Sequence, residues 1–190
     1  MSDKLFSNKQ YKNVDFTAKS LSETEFEQCT FTNCNFSGSD LSGNDFNECF
    51  FEDCNFSTVK LENTVINNVT FINCKVVGTD FSPCNDFLFS VSFSKCCLDY
   101  IVFVNKKIKN TLFADCSIKE GLFSGSDLTK SVFKNCDLDR TMFSRNNLSG
   151  VNFSSAINYI IEPEENKLKG AKFALEGVEG LLRKYGIKIE

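Results

Sequence analysis

The chain contains no histidine, no tryptophan and only two prolines in 190 residues. Each gap excludes something. Without histidine, the commonest general base and the commonest zinc-binding nitrogen are both missing. Ser-His and Cys-His nucleophile pairs cannot be assembled within one chain. A formal net charge of -4 has the wrong sign for a general nucleic-acid binder, which needs a basic footprint. No apolar run is long enough to span a bilayer. Residues 1–11 lack the apolar core of a secretory signal, so a cytoplasmic location is expected. Phosphate-binding patterns of the GxxxxGK[ST] and GxGxxG kinds do not occur. These gaps point away from an enzyme, and neither a cofactor nor a metal is expected.

In abundance instead are 21 phenylalanines and 10 cysteines. The large apolar residues recur every five positions. From Phe6 the series runs through Tyr11, Phe16, Leu21, Phe26, Phe31, Phe36 and Leu41, and on without a gap to Phe81. After a slip of two residues within 82–87 it is expected to resume at Leu88 and continue through Phe93, Leu98 and Phe103 to Phe153. The string FSGSDL at 36–41 and 123–128 gives an independent measure of that slip. Five is neither the helical period of 3.6 nor the strand period of 2. It fits a chain that turns a corner every five residues, closing a square coil whose turns stack at about 4.8 Å. Two residues before each large position stands a second inward one, usually small: Cys29, Cys34, Ser39, Cys49, Thr64, Thr79 and Ser126 are examples. Asn44, Asp86, Lys106 and Asn146 break that rule, as do Lys4, Lys9 and Lys19 near the start.

This pattern resembles the pentapeptide repeat family over about residues 4–153. The resemblance implies an all-β fold, a right-handed quadrilateral β-helix. Residues 1–153 would form the β-helix and residues 154–190 a C-terminal capping or dimerisation segment with a short α-helix.

Eight of the ten cysteines fall at the small inward position. The spacing sets Cys34, Cys54 and Cys74 in one column, Cys29 and Cys49 in another, and Cys96, Cys116 and Cys136 in a third. Parallel side chains one coil apart cannot form a disulfide, so reduced, buried thiols are expected. Cys84, in the slip, and Cys97, at an outward position, are expected to meet solvent. Asn33, Asp53, Asn73, Asp115 and Asn135 recur as a column of corner residues.

Beyond Phe153 the five-residue period is expected to end. Ile157, Tyr159 and Ile161 alternate like a strand, and residues 163–166 read as a turn. Leu175, Val178, Leu181, Leu182 and Tyr185 then follow helical spacing, with Gly186 at the C-cap and Ile187 and Ile189 beyond. An open coil end must be covered, which this tail can do. Its stripe of Leu175, Val178, Leu182 and Tyr185 can equally meet a second copy. Such a tail is similar to that of the Qnr and MfpA branch of the family, which implies a homodimer joined end to end.

Charge is unevenly spread. Residues 1–81 hold twelve acids and six bases, and no base lies between Lys19 and Lys60. Coil geometry puts Glu23, Glu25, Glu27, Asp40, Asp45, Glu48 and Glu62 along one edge. Solvation of a soluble rod accounts for such an edge, and so does imitation of DNA's phosphate rows. The resemblance to Qnr and MfpA implies the second: a DNA mimic that binds a type II topoisomerase such as DNA gyrase and modulates quinolone sensitivity. A non-enzymatic adaptor rod with an unrelated protein partner is the alternative. Neither reading involves direct nucleic-acid binding or a membrane.

Overall fold

The computed structural model describes residues 4–17, 21 and 23–188; Lys19 and Ile189 lie outside the described residues, and Lys4 is described through its backbone alone. The chain winds about eight turns of a parallel β-solenoid closed by one short helix. Register partners are twenty residues apart, as Phe26 with Phe46 and Phe31 with Phe51.

Four walls, A to D in chain order, make each coil. Wall A begins as a four-stranded sheet of Lys4–Ser7, Thr24–Glu27, Asp45–Asn47 and Val65–Asn67. Wall B is a nine-stranded sheet running from Gln10–Lys12 to Lys172–Phe173. Wall C is a ladder of single bridges from Asp15 and Asn35 to Asp137 and Ile157. Wall D begins with the Asp40–Lys60 bridge and becomes a sheet of Val102–Val104, Leu122–Ser124 and Met142–Ser144.

The five-residue period gives this interior directly. On wall B the rings of Tyr11, Phe31, Phe51, Phe71, Phe93, Phe113, Phe133, Phe153 and Phe173 stack at centroid distances of 4.7–5.5 Å. Edge-to-face contacts join neighbouring walls, as Phe31 with Phe36 at 5.5 Å. Each such pair adds about 0.5–1.5 kcal/mol beyond the area it buries.

The small inward position has a polar task as well. Its donor reaches a backbone carbonyl one coil below: Cys54 Sγ to Phe31 (3.3 Å), Thr79 Oγ1 to Phe56 (2.8 Å), Ser126 Oγ to Phe103 (3.1 Å) and Asn146 Nδ2 to Phe123 (2.8 Å). A short side chain with a donor fits this narrow interior and satisfies that carbonyl, while Val59, Val69, Ile101 and Val151 fill the same position by packing alone. Asn146, at first sight an exception, is therefore a buried member of the pattern; Asn44 is buried too, but its Oδ1 accepts from the Thr24 amide (3.0 Å) and its Nδ2 has no hydrogen-bond partner among the described residues.

Three expectations need correction. Leu88 is exposed at φ +55°, and it is Phe89 that turns inward after the slip. Cys84 is buried, because it keeps the first run's inward register at the coil where the extra residues are accommodated. The six cysteines 34, 54, 74, 96, 116 and 136 form a single column: Cys96 Sγ reaches the Phe71 carbonyl (3.5 Å) just as Cys74 Sγ reaches that of Phe51 (3.4 Å). The insertion is absorbed on wall A, so wall B keeps its phase.

The period also outlasts Phe153. Ala156, Tyr159, Ile161 and Asn166 are buried, Ile157 points outward, and Phe173 pairs in register with Phe153. Leu168 and Phe173 stand fifteen and twenty residues after Phe153, in phase with it. The tail then forms a 3-10 turn at Leu175–Gly177, the helix Glu179–Leu182 and a second 3-10 turn at Arg183–Tyr185, closed by Gly186 in the left-handed region. It seats on Tyr159 through two glycines. A Cβ on Gly177 would stand 2.0 Å from the Tyr159 hydroxyl, and one on Gly180 would stand 2.0 Å from the Tyr159 carbonyl oxygen.

Candidate acidic edge

Five of the seven carboxylates are positioned by walls A and B in the second and third coils. Glu25 and Asp45 are register partners on wall A, and Glu27 is paired with Asn47. Ser7 Oγ donates to Glu27 Oε2 (3.1 Å), and Gln28 Nε2 donates to Glu48 Oε2 (2.9 Å). Glu48 and Glu23 occupy corners at φ +51° and +54°. Neither has an ion-pair partner among the described residues.

The structure ranks these groups in a way that counting does not. Glu23, Glu25, Glu27, Glu48 and Glu62 are exposed. Asp45 is half-buried, and its Oδ1 is shielded without a hydrogen-bond partner. Burial, then repulsion from Glu25, raises its carboxyl above the usual range. Asp40 belongs to its own turn: the Ser42 hydroxyl and amide (3.1 Å to the amide) hold its carboxyl below the usual range, and Lys60 stands beside it in the next coil. The edge is thus a stripe of exposed glutamates, with Asp40 an anion held by its own turn and Asp45 a reluctant one.

The corner column of Asn33, Asp53 and Asn73 adopts φ near +53° and bonds between coils, Asn33 Nδ2 to Asn13 Oδ1 (2.7 Å) and Asn73 Nδ2 to Asp53 Oδ1 (2.6 Å). Asn135 and Asp115 repeat it at 2.9 Å. These residues serve the corners. All ten cysteines are free, and no group of cysteines and carboxylates among the described residues could hold a metal ion.

Of the four tail residues, Leu175 and Tyr185 project into solvent at 84% and 51% exposure, while Val178 and Leu182 are half-buried. Tyr185 donates to Glu164 Oε1 (2.6 Å), and Lys184 pairs with the same carboxylate.

Sequence reasoning missed the joint at the insertion. Lys106, 2% exposed, donates to the Cys84 carbonyl and to Asp86 Oδ1 (2.7 Å), with its ammonium 5.3 Å from the Phe89 ring centroid. Its amine latches residues 84–89. A lysine at a small inward position beside a register slip was the available signal. Phe87 and Leu88 project from that latch at 71% and 59% exposure.

Models of the pentapeptide repeat region match residues 24–103 and 67–143. The chain belongs to the pentapeptide repeat family. No curated protein sequence matches it. A trypsin-treated form of QnrB1, a plasmid-mediated fluoroquinolone resistance protein, superposes with a TM-score of 0.64 at 16% identity, covering 95% of this chain and 98% of that one. Full-length QnrB1 gives 0.53 at 18% identity over 96% and 100%. HetL, a pentapeptide repeat protein involved in heterocyst differentiation regulation in the cyanobacterium Nostoc, gives 0.71 at 16% over 91% and 88%. At these identities the likeness is one of fold. Among the described residues, no helix of this pentapeptide repeat protein is long and apolar enough to cross a membrane.

Proposed function

We propose that this pentapeptide repeat protein is a cytoplasmic, non-enzymatic DNA mimic that binds a type II topoisomerase, DNA gyrase foremost, and modulates quinolone sensitivity. The observation that carries the reading is the glutamate stripe of Glu23, Glu25, Glu27, Glu48 and Glu62, exposed and with no ion-pair partner among the described residues. Backbone ladders fix the spacing of these charges, so they meet a basic DNA-binding saddle with little ordering entropy left to lose. The fold shared with QnrB1 supports the same reading. The tail residues Leu175, Val178, Leu182 and Tyr185 then join two copies end to end, extending the charged rod.

Supercoiling and drug-induced cleavage by gyrase and topoisomerase IV, measured with and without a quinolone at rising protein concentration, test this. The protein is expected to inhibit the enzyme or to relieve the drug. Replacing Glu25, Glu27 and Glu48 by lysine, with Asp45→Asn to spare its shielded oxygen, abolishes that effect and leaves the fold intact. An inert wild-type protein would sink the topoisomerase reading. The adaptor reading, with another protein as partner, is favoured by the equally good fold match to HetL, and an inert result would leave it in place.

A further inference from the structure

Wall A is dipolar along the rod. Its second and third coils present Glu25, Glu27, Asp45 and Glu48. Above the insertion the same wall continues as the bridge ladder Lys107–Asp127–Asn147–Lys167, flanked by Lys109, Lys130 and Lys169. Lys109 pairs with Asp127 at 3.1 Å, while Lys107, Lys130, Lys167 and Lys169 are exposed and have no ion-pair partner among the described residues. None of the four acids has one either. Between the two fields lies the insertion, which the Asn85 amide and the Ser90 amide seat directly on Thr64 and Ile66 (2.9 Å each). Its tip is apolar, Phe87 and Leu88.

We infer that wall A is a homotypic interface on which two copies lie side by side and antiparallel, with Phe87 and Leu88 of each at the two-fold axis. A two-fold interface must be self-complementary. A wall that is acidic at one end, basic at the other and apolar between them meets that requirement only when the second copy is reversed. The acids sit two and three coils below the insertion and the lysines one, two and four coils above it, so reversal about the tip brings the opposite fields together. The Lys106 latch serves this arrangement by holding the tip outward. Pairing of this kind covers the glutamates assigned above to a partner, so partner binding and lateral pairing exclude one another.

Sedimentation velocity in a Leu182→Asp background, which removes the proposed end-to-end contact, tests this. A dimer is expected at about 0.01 M salt, where charges act over about 30 Å, and its loss at about 1 M, where they act over about 3 Å. Phe87→Ser with Leu88→Ser should give monomers. So should Glu25→Lys, Glu27→Lys and Glu48→Lys together, and likewise Lys107→Glu, Lys130→Glu and Lys167→Glu together. Mixing the two charge variants should restore a dimer, since one wall is then mainly basic and the other mainly acidic. Phe87→Cys should cross-link to itself on oxidation, a result that needs no charge variant to fold. Monomers at every salt, a dimer indifferent to both charge sets, or failure of the mixture and of the cross-link would each overturn the inference. None of these readouts involves a topoisomerase, so the two readings fail separately.

Discussion

The coils below the insertion and the coils above it share one interior and differ in almost everything outside. Both stack rings on wall B, and both place thiols, hydroxyls or an amide under the backbone carbonyls. Yet the lower coils build their sheets on walls A and B, the upper ones on B and D. The exchange occurs at the coil that carries residues 84–90. Charge changes sign on the same wall at the same coil. The comparison teaches that the inside of a solenoid is written once per corner, whereas its outward positions are free to differ from coil to coil.

The strongest way to break the comparison is to charge the shared interior. Phe51→Asp and Phe113→Asp bury a carboxylate where the ring is 1% and 0% exposed. Each should cost several kcal/mol and abolish the folded circular dichroism signal or the urea transition. Equal damage from the two would show that the halves share one cooperative core. Loss of only the mutated half would show them to be separate units.

Alkali probes the thiols. Burial pushes Cys49 in the lower coils and Cys84 at the joint up to about 12. Both are neutral in the folded state at pH values where the unfolded chain has begun to ionise. Their contribution is intact below about pH 9 and is lost as pH rises from there toward 12, by about 1.4 kcal/mol per pH unit for each thiol. Urea midpoints between pH 8 and 10.5 should fall along that slope, and Cys49→Ala should flatten it. In the native state at pH 8, Cys97 alone should react quickly with a maleimide. Fast labelling of Cys84 would show the latch to be open.

Lys106→Met tests the joint itself. Loss of the bonds to Asp86 and the Cys84 carbonyl should cost about 1–3 kcal/mol, since the carbonyl is left buried and unpaired. Limited proteolysis should then cut near Phe87 faster than in the wild-type protein. Reversing single outward charges is expected to change least. Glu25→Lys below and Lys107→Glu above should each leave stability within about 0.5 kcal/mol of wild type, because both side chains are exposed and have no ion-pair partner among the described residues.

Much of the coil could be read in the residues because its inward positions tolerate so little. A large apolar residue on every wall, with a small inward residue two places before it, leaves one way to wind the chain. The same rule explains the cysteines and, in retrospect, Asn146, whose amide does what a thiol or hydroxyl does elsewhere. It failed where the chain departs from five. Leu88 and Phe89 are adjacent apolar residues, and nothing local says which turns inward. The continuation to Phe173 was hidden because the large positions of the coil after Phe153 hold Asn158 and Pro163, with Tyr159 turning inward one place late, while Ala156, Ile161 and Asn166 keep the small inward register. On the acidic edge, side-by-side carboxylates looked alike in sequence. Their separation into exposed glutamates, a half-buried Asp45 and a turn-bound Asp40 depends on which neighbours the next coil supplies.

The sequence by itself determined the period, the four-walled coil, the reduced thiols and the list of outward charges, since each follows from spacing along one strand of chain. Only the tertiary structure decided where the insertion is absorbed, that six cysteines share one column, that Lys106 is an internal latch, and that acid, apolar tip and base lie in line on a single wall. Those facts depend on stacking between coils. Residues 25, 45, 87, 107 and 167 become neighbours on one wall only when the twenty-residue step has been interrupted once and resumed.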